Sequence, residues 1–198
     1  MKLCVIGGAG ARSAFLTKSL VKSTRDIRVD HIVLLDNDQQ KLKTYGEISR
    51  ELSRRLDPDL TFEVTSDARA ALTGVDYIIT TIRAGGDAGR LFDEQTCLAH
   101  GVLGQETTGA GGFAMAIRSV PTLVYYCTLA REVANPGHLI FNFTNPSGII
   151  TQALRSKGFD NVYGICDAPS GFIKQLEEIL EIPYGTLDIE CYGLNHLS

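Results

Sequence analysis

A chain of 198 residues with 44% hydrophobic and 21% charged side chains has the composition of a globular domain with a sizeable core. Its formal net charge of −4 offers no basic footprint, which excludes nucleic acid as the expected partner. No uninterrupted apolar run approaches the roughly 18 residues of a membrane span, and glycines break the opening "MKLCVIGGAG" too early for a signal peptide, so the expectation is no membrane and a cytoplasmic location.

The elements alternate in chain order. "KLCVI" is a continuous apolar run, as a parallel strand covered on both faces requires, and a helix follows the "GGAGARS" turn to about Val21. "HIVLLD" is a second strand, with a long helix from about Gln39 to Leu56 behind it. "TFEVT" and "VDYIITTI" are the third and fourth strands. Helices are expected over roughly Ala88 to His100 and Phe113 to Val133. "HLIFNFT", the helix "GIITQALR", "VYGIC" and the helix "GFIKQLEEIL" follow, and "TLDIECYGLNHLS" alternates like a final strand. The pattern predicts an α/β fold over residues 1–198, a Rossmann-like doubly wound parallel sheet with helices on both faces. The abrupt end at "GLNHLS" suggests a fragment.

The five cysteines share no close spacing, which argues for reduced thiols. Cys4, Cys97, Cys127 and Cys191 read as core fillers.

In "VIGGAGARS", Gly8-x-Gly10-x-x-Ser13 forms a dinucleotide fingerprint with serine in the third small-residue place. The first glycine permits the tight turn and the second lets a pyrophosphate approach the backbone, while the helix N-terminus supplies free N–H groups. Asp36, closing the second strand, suits the ribose hydroxyls of NAD and repels the extra phosphate of NADP.

Ligands of such a sheet gather outside the carboxyl ends of its strands. Arg83 follows the fourth strand, Asn145 the fifth, Cys166 and Asp167 the sixth, and Asn195 and His196 the last, with the glycine-rich loop around Glu106 between them. A thiolate and an imidazole from neighbouring strand ends suit a divalent ion with positions left open to substrate. On chemistry alone, a thiol packed beside an unrelated histidine stands as the alternative.

"IRAGG", "GQETTGAGG", "NFTNPSG", "GICDAP" and "GLNHL", in this order behind a dinucleotide loop, resemble the family 4 glycoside hydrolases from Met1 to Ser198. These NAD-dependent enzymes stand outside the two-carboxylate glycosidase scheme. The resemblance implies NAD and Mn2+ (or another divalent metal) as cofactors, oxidation of the sugar at C3, removal of the C2 proton, elimination at C1, water addition and return of the hydride. Carried over by position, Cys166 and His196 match metal ligands, and Arg83 and Asn145 match substrate-contacting residues. Asp167 matches a catalytic residue that contacts sugar or leaving group, and Gly8, Gly10, Ser13 and Asp36 match the cofactor site. The family's tyrosine base and its C-terminal substrate and dimer surface would lie beyond Ser198, and the whole protein would be a homo-oligomer.

The expected substrate is a small phosphorylated sugar, a 6-phospho-glucoside. "CDAP" leans towards α-glucosides, whereas "GQETTGAGG" and "NFTNPSG" look more like β members, and the β activity is preferred. The alternatives are the α activity, an NAD-dependent 2-hydroxyacid dehydrogenase, and an isolated nucleotide-binding module.

Overall fold

A computed structural model describes residues 1–193, 195 and 196. Leu194 and Leu197 of the "GLNHL" motif, and Ser198, lie outside the described residues.

Six strands form one sheet: β1 Lys2–Ile6, β2 His31–Leu35, β3 Thr61–Thr65, β4 Tyr77–Thr80, β5 Leu139–Asn142 and β6 Val162–Gly164. Their order is β3-β2-β1-β4-β5-β6, every pair is parallel, and this is the doubly wound arrangement read from the alternation of elements. Because successive side chains point to opposite faces, the unbroken apolar runs fill two cores at once. Cys4, Ile6, Val33, Leu35, Ile78 and Ile140 pack on one face against Ala71 and Leu72, Leu123, Cys127 and Ala130, and Ile150 and Leu154. Leu3, Val5, Ile32 and Leu34 pack on the other against Leu20 and Val21. Toward β6 that second face carries an aromatic row, Tyr77, Phe141 and Tyr163, with ring centroids 6.5 and 6.3 Å apart.

The helices are α1 Ser13–Ile27, α2 Gln39–Lys41, α3 Glu47–Leu56, α4 Ala68–Leu72, α5 Gly86–Ala99, α6 Gly109–Val133, α7 Ser147–Ser156 and α8 Ala168–Ile179. The single helix expected from Gln39 to Leu56 is divided by a π-helical turn over Leu42–Gly46. Gly46 ends that turn against β3, where an added Cβ would stand 2.6 Å from Val64 Cγ1. Helix α4 is short, and the Asp67 carboxylate caps it by accepting from the Ala70 N–H at 3.0 Å. Helix α6 begins within the glycine run. By length and average composition it could cross a bilayer, although Arg118 and Arg131 interrupt its apolar run, and it packs Leu123, Cys127 and Ala130 into the core.

The final stretch differs from expectation. Residues 186–192 form no strand. Leu187 and Ile189 keep the period-2 alternation, but a strand exists only with a ladder partner. Here the buried Glu177 carboxylate takes the N–H groups of Gly185 and Leu187 at 2.9 and 3.0 Å, fixing the chain in a turn. Cys191, expected in the core, is exposed for the same reason.

At the amino ends of the strands, the Asp76 carboxylate accepts from the Lys2 N–H and from Asn135 Nδ2, each at 2.8 Å, so β1, β4 and the approach to β5 meet in one knot. These hydrogen bonds, that to Asn135 foremost, hold the Asp76 carboxyl below its ordinary range. The opposite rim carries the chemistry.

Candidate active site

The cofactor loop is built by glycines with separate duties. Gly7 turns the chain at φ +83°, and an added Cβ would stand 2.6 Å from the Thr81 carbonyl oxygen. The tight turn therefore falls one residue before the fingerprint's first glycine. Gly8 is a packing position, its absent Cβ leaving 2.9 Å to Leu34 Cβ. At Gly10 the nearest atom to a built Cβ is 4.0 Å away, so its missing side chain leaves open space above the loop. Ser13 is buried at the start of α1, its N–H donating to the Gly10 carbonyl.

Asp36 lies directly after β2 and reaches back to this loop. Its Oδ2 accepts the Ala9 N–H at 3.1 Å and its Oδ1 the Asp38 N–H at 3.1 Å. Each carboxylate oxygen retains further acceptor capacity for ribose hydroxyls. Tyr126 of α6 stands close enough for the Asp36 charge to push its phenol pKa further up, after burial as the main cause. The fit to a dinucleotide rests on the open space at Gly10, the uncapped N-terminus of α1 and the acceptor at Asp36.

Cys166 and His196 are brought together. Their Sγ and Nε2 atoms are 3.5 Å apart, although 30 residues separate them in sequence. With metal–ligand bonds of about 2 Å or a little more, a separation of 3.5 Å would let both atoms hold one ion. The pair therefore fits a shared divalent ion, and among the described residues no third histidine, cysteine or carboxylate closes the site. The Ala168 N–H also donates to Cys166 Sγ at 3.4 Å. In the core, burial pushes the thiols of Cys4 and Cys127 up to about 12. Asp167, exposed beside Cys166, is the N-cap of α8. Next to the thiol, a pocket of ≈ 560 Å³ runs along α7, with Ser147, Thr151, Ile165, Cys166 and Asn195 among its walls.

Arg83 follows β4 and is held between carboxylates. Its Nη1 donates to Asp87 at 2.7 Å, and its Nη2 lies 3.3 Å from Glu106 Oε2. Arg90 Nε stands 3.9 Å from the same Glu106 oxygen and donates to Glu94 at 2.7 Å. The Glu106 loop is no loose excursion. The Gln105 side-chain oxygen accepts from the Thr107 and Thr108 N–H groups, and built Cβ atoms on Gly111 and Gly112 would collide with Gln105 and Thr107 backbone. Beneath it, Arg118 Nη1 donates to the buried Asp93 at 2.9 Å and Arg118 Nε to the Ala84 carbonyl at 3.2 Å, which fixes the loop bearing Arg83. Asn145 is half-buried between β5 and α7.

Sequence reasoning missed Gly7, the Arg118–Asp93 pair and Asn142. The doubled glycine was a signal for the first. The others lie inside a helix and a strand that read as ordinary.

The profile described as family 4 glycosyl hydrolase matches residues 2–182. A 6-phospho-β-glucosidase of Thermotoga maritima is 36% identical over 200 residues, covering 100% of this chain and 47% of that protein. A phospho-α-glucosidase of Clostridium acetobutylicum is 32% identical, covering 99% and 44% respectively. The chain thus spans about half the length of these relatives. The Thermotoga enzyme, solved with NAD and glucose-6-phosphate, superposes at TM-score 0.89 with 34% identity over 100% of this chain and 47% of its own. A 6-phospho-α-glucosidase from gut microorganisms, also solved with NAD and glucose-6-phosphate, reaches 0.93 with 29% identity over 99% and 45%. A malate dehydrogenase of Salinibacter ruber, 18% identical at TM-score 0.64 over 93% and 51%, shares the fold alone. By the match over nearly its whole length, the chain belongs to the family 4 glycosyl hydrolases.

Proposed function

We propose that this chain is the NAD-binding, metal-holding part of a cytoplasmic 6-phosphoglucosidase, homo-oligomeric as a whole protein, that hydrolyses by transient oxidation. The observation that carries the reading is the 3.5 Å approach of Cys166 and His196 on the same sheet rim as a dinucleotide loop. A 2-hydroxyacid dehydrogenase of the same fold would instead need a histidine–aspartate proton relay and no metal cysteine.

When bound, NAD+ takes and returns a hydride at C3 of the sugar and the divalent ion supplies Lewis-acid polarisation of the neighbouring oxygens. The backbone of Gly8 and Gly10, with Ser13 opening α1, seats the pyrophosphate, and Asp36 accepts from the ribose hydroxyls. Cys166 and His196 hold the ion. Arg83 and Asn145 contact the phosphorylated sugar, and Asp167 addresses the sugar or its leaving group. Domain assignment follows: residues 1–198 serve as one cofactor domain. The β activity is favoured by the higher identity to the Thermotoga enzyme, while "CDAP" supports the α activity as the second reading.

The test is hydrolysis of both anomers of a chromogenic glucoside 6-phosphate by the full gene product, with NAD+ and Mn2+ added or withheld, in H2O and D2O. The expected result is turnover only with both cofactors, faster on the β anomer, with deuterium at C2 of the product. Cofactor-independent hydrolysis without exchange at C2 would sink the reading, because direct displacement leaves C2 untouched.

A further inference from the structure

Behind the rim that carries Arg83, Asn145 and Cys166 lies a buried polar cluster in an otherwise apolar sheet. Thr80 of β4, Asn142 of β5, Thr144, and Ser147 of α7 are each 5% exposed or less, and Asn142 is at 0%. A fully buried amide in a central parallel strand is costly unless its donors and acceptors are matched. Asn142 matches them all. Its Oδ1 accepts from Thr80 Oγ1 at 2.8 Å and from the Thr144 N–H at 3.3 Å. Its Nδ2 donates to Thr151 Oγ1 at 3.2 Å and to the carbonyls of Thr144 and Ser147 at 3.3 and 3.4 Å.

We infer that Asn142 is a positioning residue that sets the mutual placement of Arg83, Asn145 and the Cys166 thiol. Resting on the proposed metal and substrate roles of those residues, it assigns to them a common support. Three connections run outward from it. Towards Arg83, Thr144 Oγ1 lies 3.3 Å from Thr80 Oγ1 and accepts the Ile82 N–H at 3.1 Å, one residue short of the arginine. Around Asn145, the two carbonyls held by Nδ2 belong to Thr144 and Ser147, which bracket it in sequence. Towards Cys166, the Asn142 main-chain carbonyl accepts the Ile165 N–H at 3.0 Å and the Ser147 hydroxyl at 3.2 Å, and its side chain reaches the same side through Thr151 Oγ1. There is no slack on this side, since a Cβ on Gly164 would stand 2.8 Å from Thr151 Oγ1. A leucine could fill the same volume, but it would leave two carbonyls, an amide and two hydroxyls without their partner. Groups bonded directly to a metal ligand account for about ten- to a hundredfold in metal affinity, and Asn142 stands one step further out, so its share should lie at or below the lower figure.

The experiment replaces Asn142 and Thr151 in the full gene product and reads Co2+ as the metal probe, through its thiolate charge-transfer absorption and its dissociation constant, beside an NADH titration. Asn142→Asp keeps the shape but turns an acceptor towards two carbonyl oxygens, those of Thr144 and Ser147. It should weaken Co2+ binding by up to about tenfold and reduce the thiolate band. NADH affinity should stay within about twofold, because the glycine loop and Asp36 hang from β1 and β2. Thr151→Val removes a single partner and should give a smaller loss in the same direction, which Thr151→Ser restores. Folded variants with the wild-type band and affinity would overturn the inference. Should the wild type itself bind no Co2+ through a thiolate, the metal reading of Cys166 fails separately. The support is then judged by the rate at which iodoacetamide alkylates Cys166 in a Cys191→Ser background. A severalfold change in Asn142→Asp upholds it, and an unchanged rate in the folded variant refutes it.

Discussion

Asp36 does two things with one carboxylate. It braces the glycine loop through the Ala9 N–H, and its remaining lone pairs are the acceptors proposed for the ribose hydroxyls. A 2′-phosphate brought there would meet a negative charge, so NADH should bind more tightly than NADPH. Asp36→Ser should narrow that preference and weaken NADH as well, since the loop loses its brace, and titration of both nucleotides checks it. Cys166 can be tested with the same separation of effects. Cys166→Ser exchanges a soft thiolate for a weak hydroxyl ligand 3.5 Å from His196 Nε2, and Mn2+ affinity should fall more than tenfold while NADH binding is retained. Calorimetry with Mn2+ decides the matter, and undiminished binding would return Cys166 to a packing role.

At the level of elements, close backbone approach explains Gly7, Gly8, Gly104, Gly111 and Gly112, and it separates these from Gly10, whose proposed duty is to the ligand. A Cβ at Gly112 would stand 2.5 Å from the Thr107 carbonyl carbon, so Gly112→Ala should destabilise the protein by about 1–3 kcal/mol in urea unfolding. Gly10→Ala meets nothing nearer than 4.0 Å, so unfolding should hardly change while NADH affinity drops about tenfold or more. A stable Gly10→Ala protein with unaltered NADH binding would contradict the cradle. The strands β1, β2, β4 and β5 were legible because a two-faced parallel strand must be apolar at every position. Residues 186–192 misled because alternation records which side chains want burial, not whether a neighbouring strand exists to pair with them. Helix α4 escaped notice through its brevity, though Asp67 marks its start. The proposed metal pair and cofactor loop stood out in the sequence because rare chemistry sits at turn positions, and the structure brings Cys166 and His196 within 3.5 Å of each other. Asn142 was not, since a single amide inside "HLIFNFT" looks like an exception to an apolar run until its partners from β4 and α7 are seen around it.

Across the whole molecule, the parallel sheet gives its two rims different properties. The carboxyl rim carries Asp36, Arg83, Asn145 and Cys166. The amino rim carries Asp76, tied to Lys2 and Asn135. A carboxyl whose folded pKa is lowered stabilises the fold above its ordinary range, and that contribution fades as the pH falls through the lowered value. Asp76→Asn should therefore lower stability at neutral pH by about 1–3 kcal/mol and flatten the loss seen on acidification below about pH 4, measured by urea unfolding at both pH values. A variant as stable as wild type at pH 7 would show the knot to be idle. Turnover at neutral pH should be untouched in that variant, because strand length alone keeps the knot from the reacting atoms. A family built this way can drift in thermal tolerance at one edge of its sheet while its catalytic edge stays constant, so adaptation to a hotter or more acidic niche need not pass through the active centre.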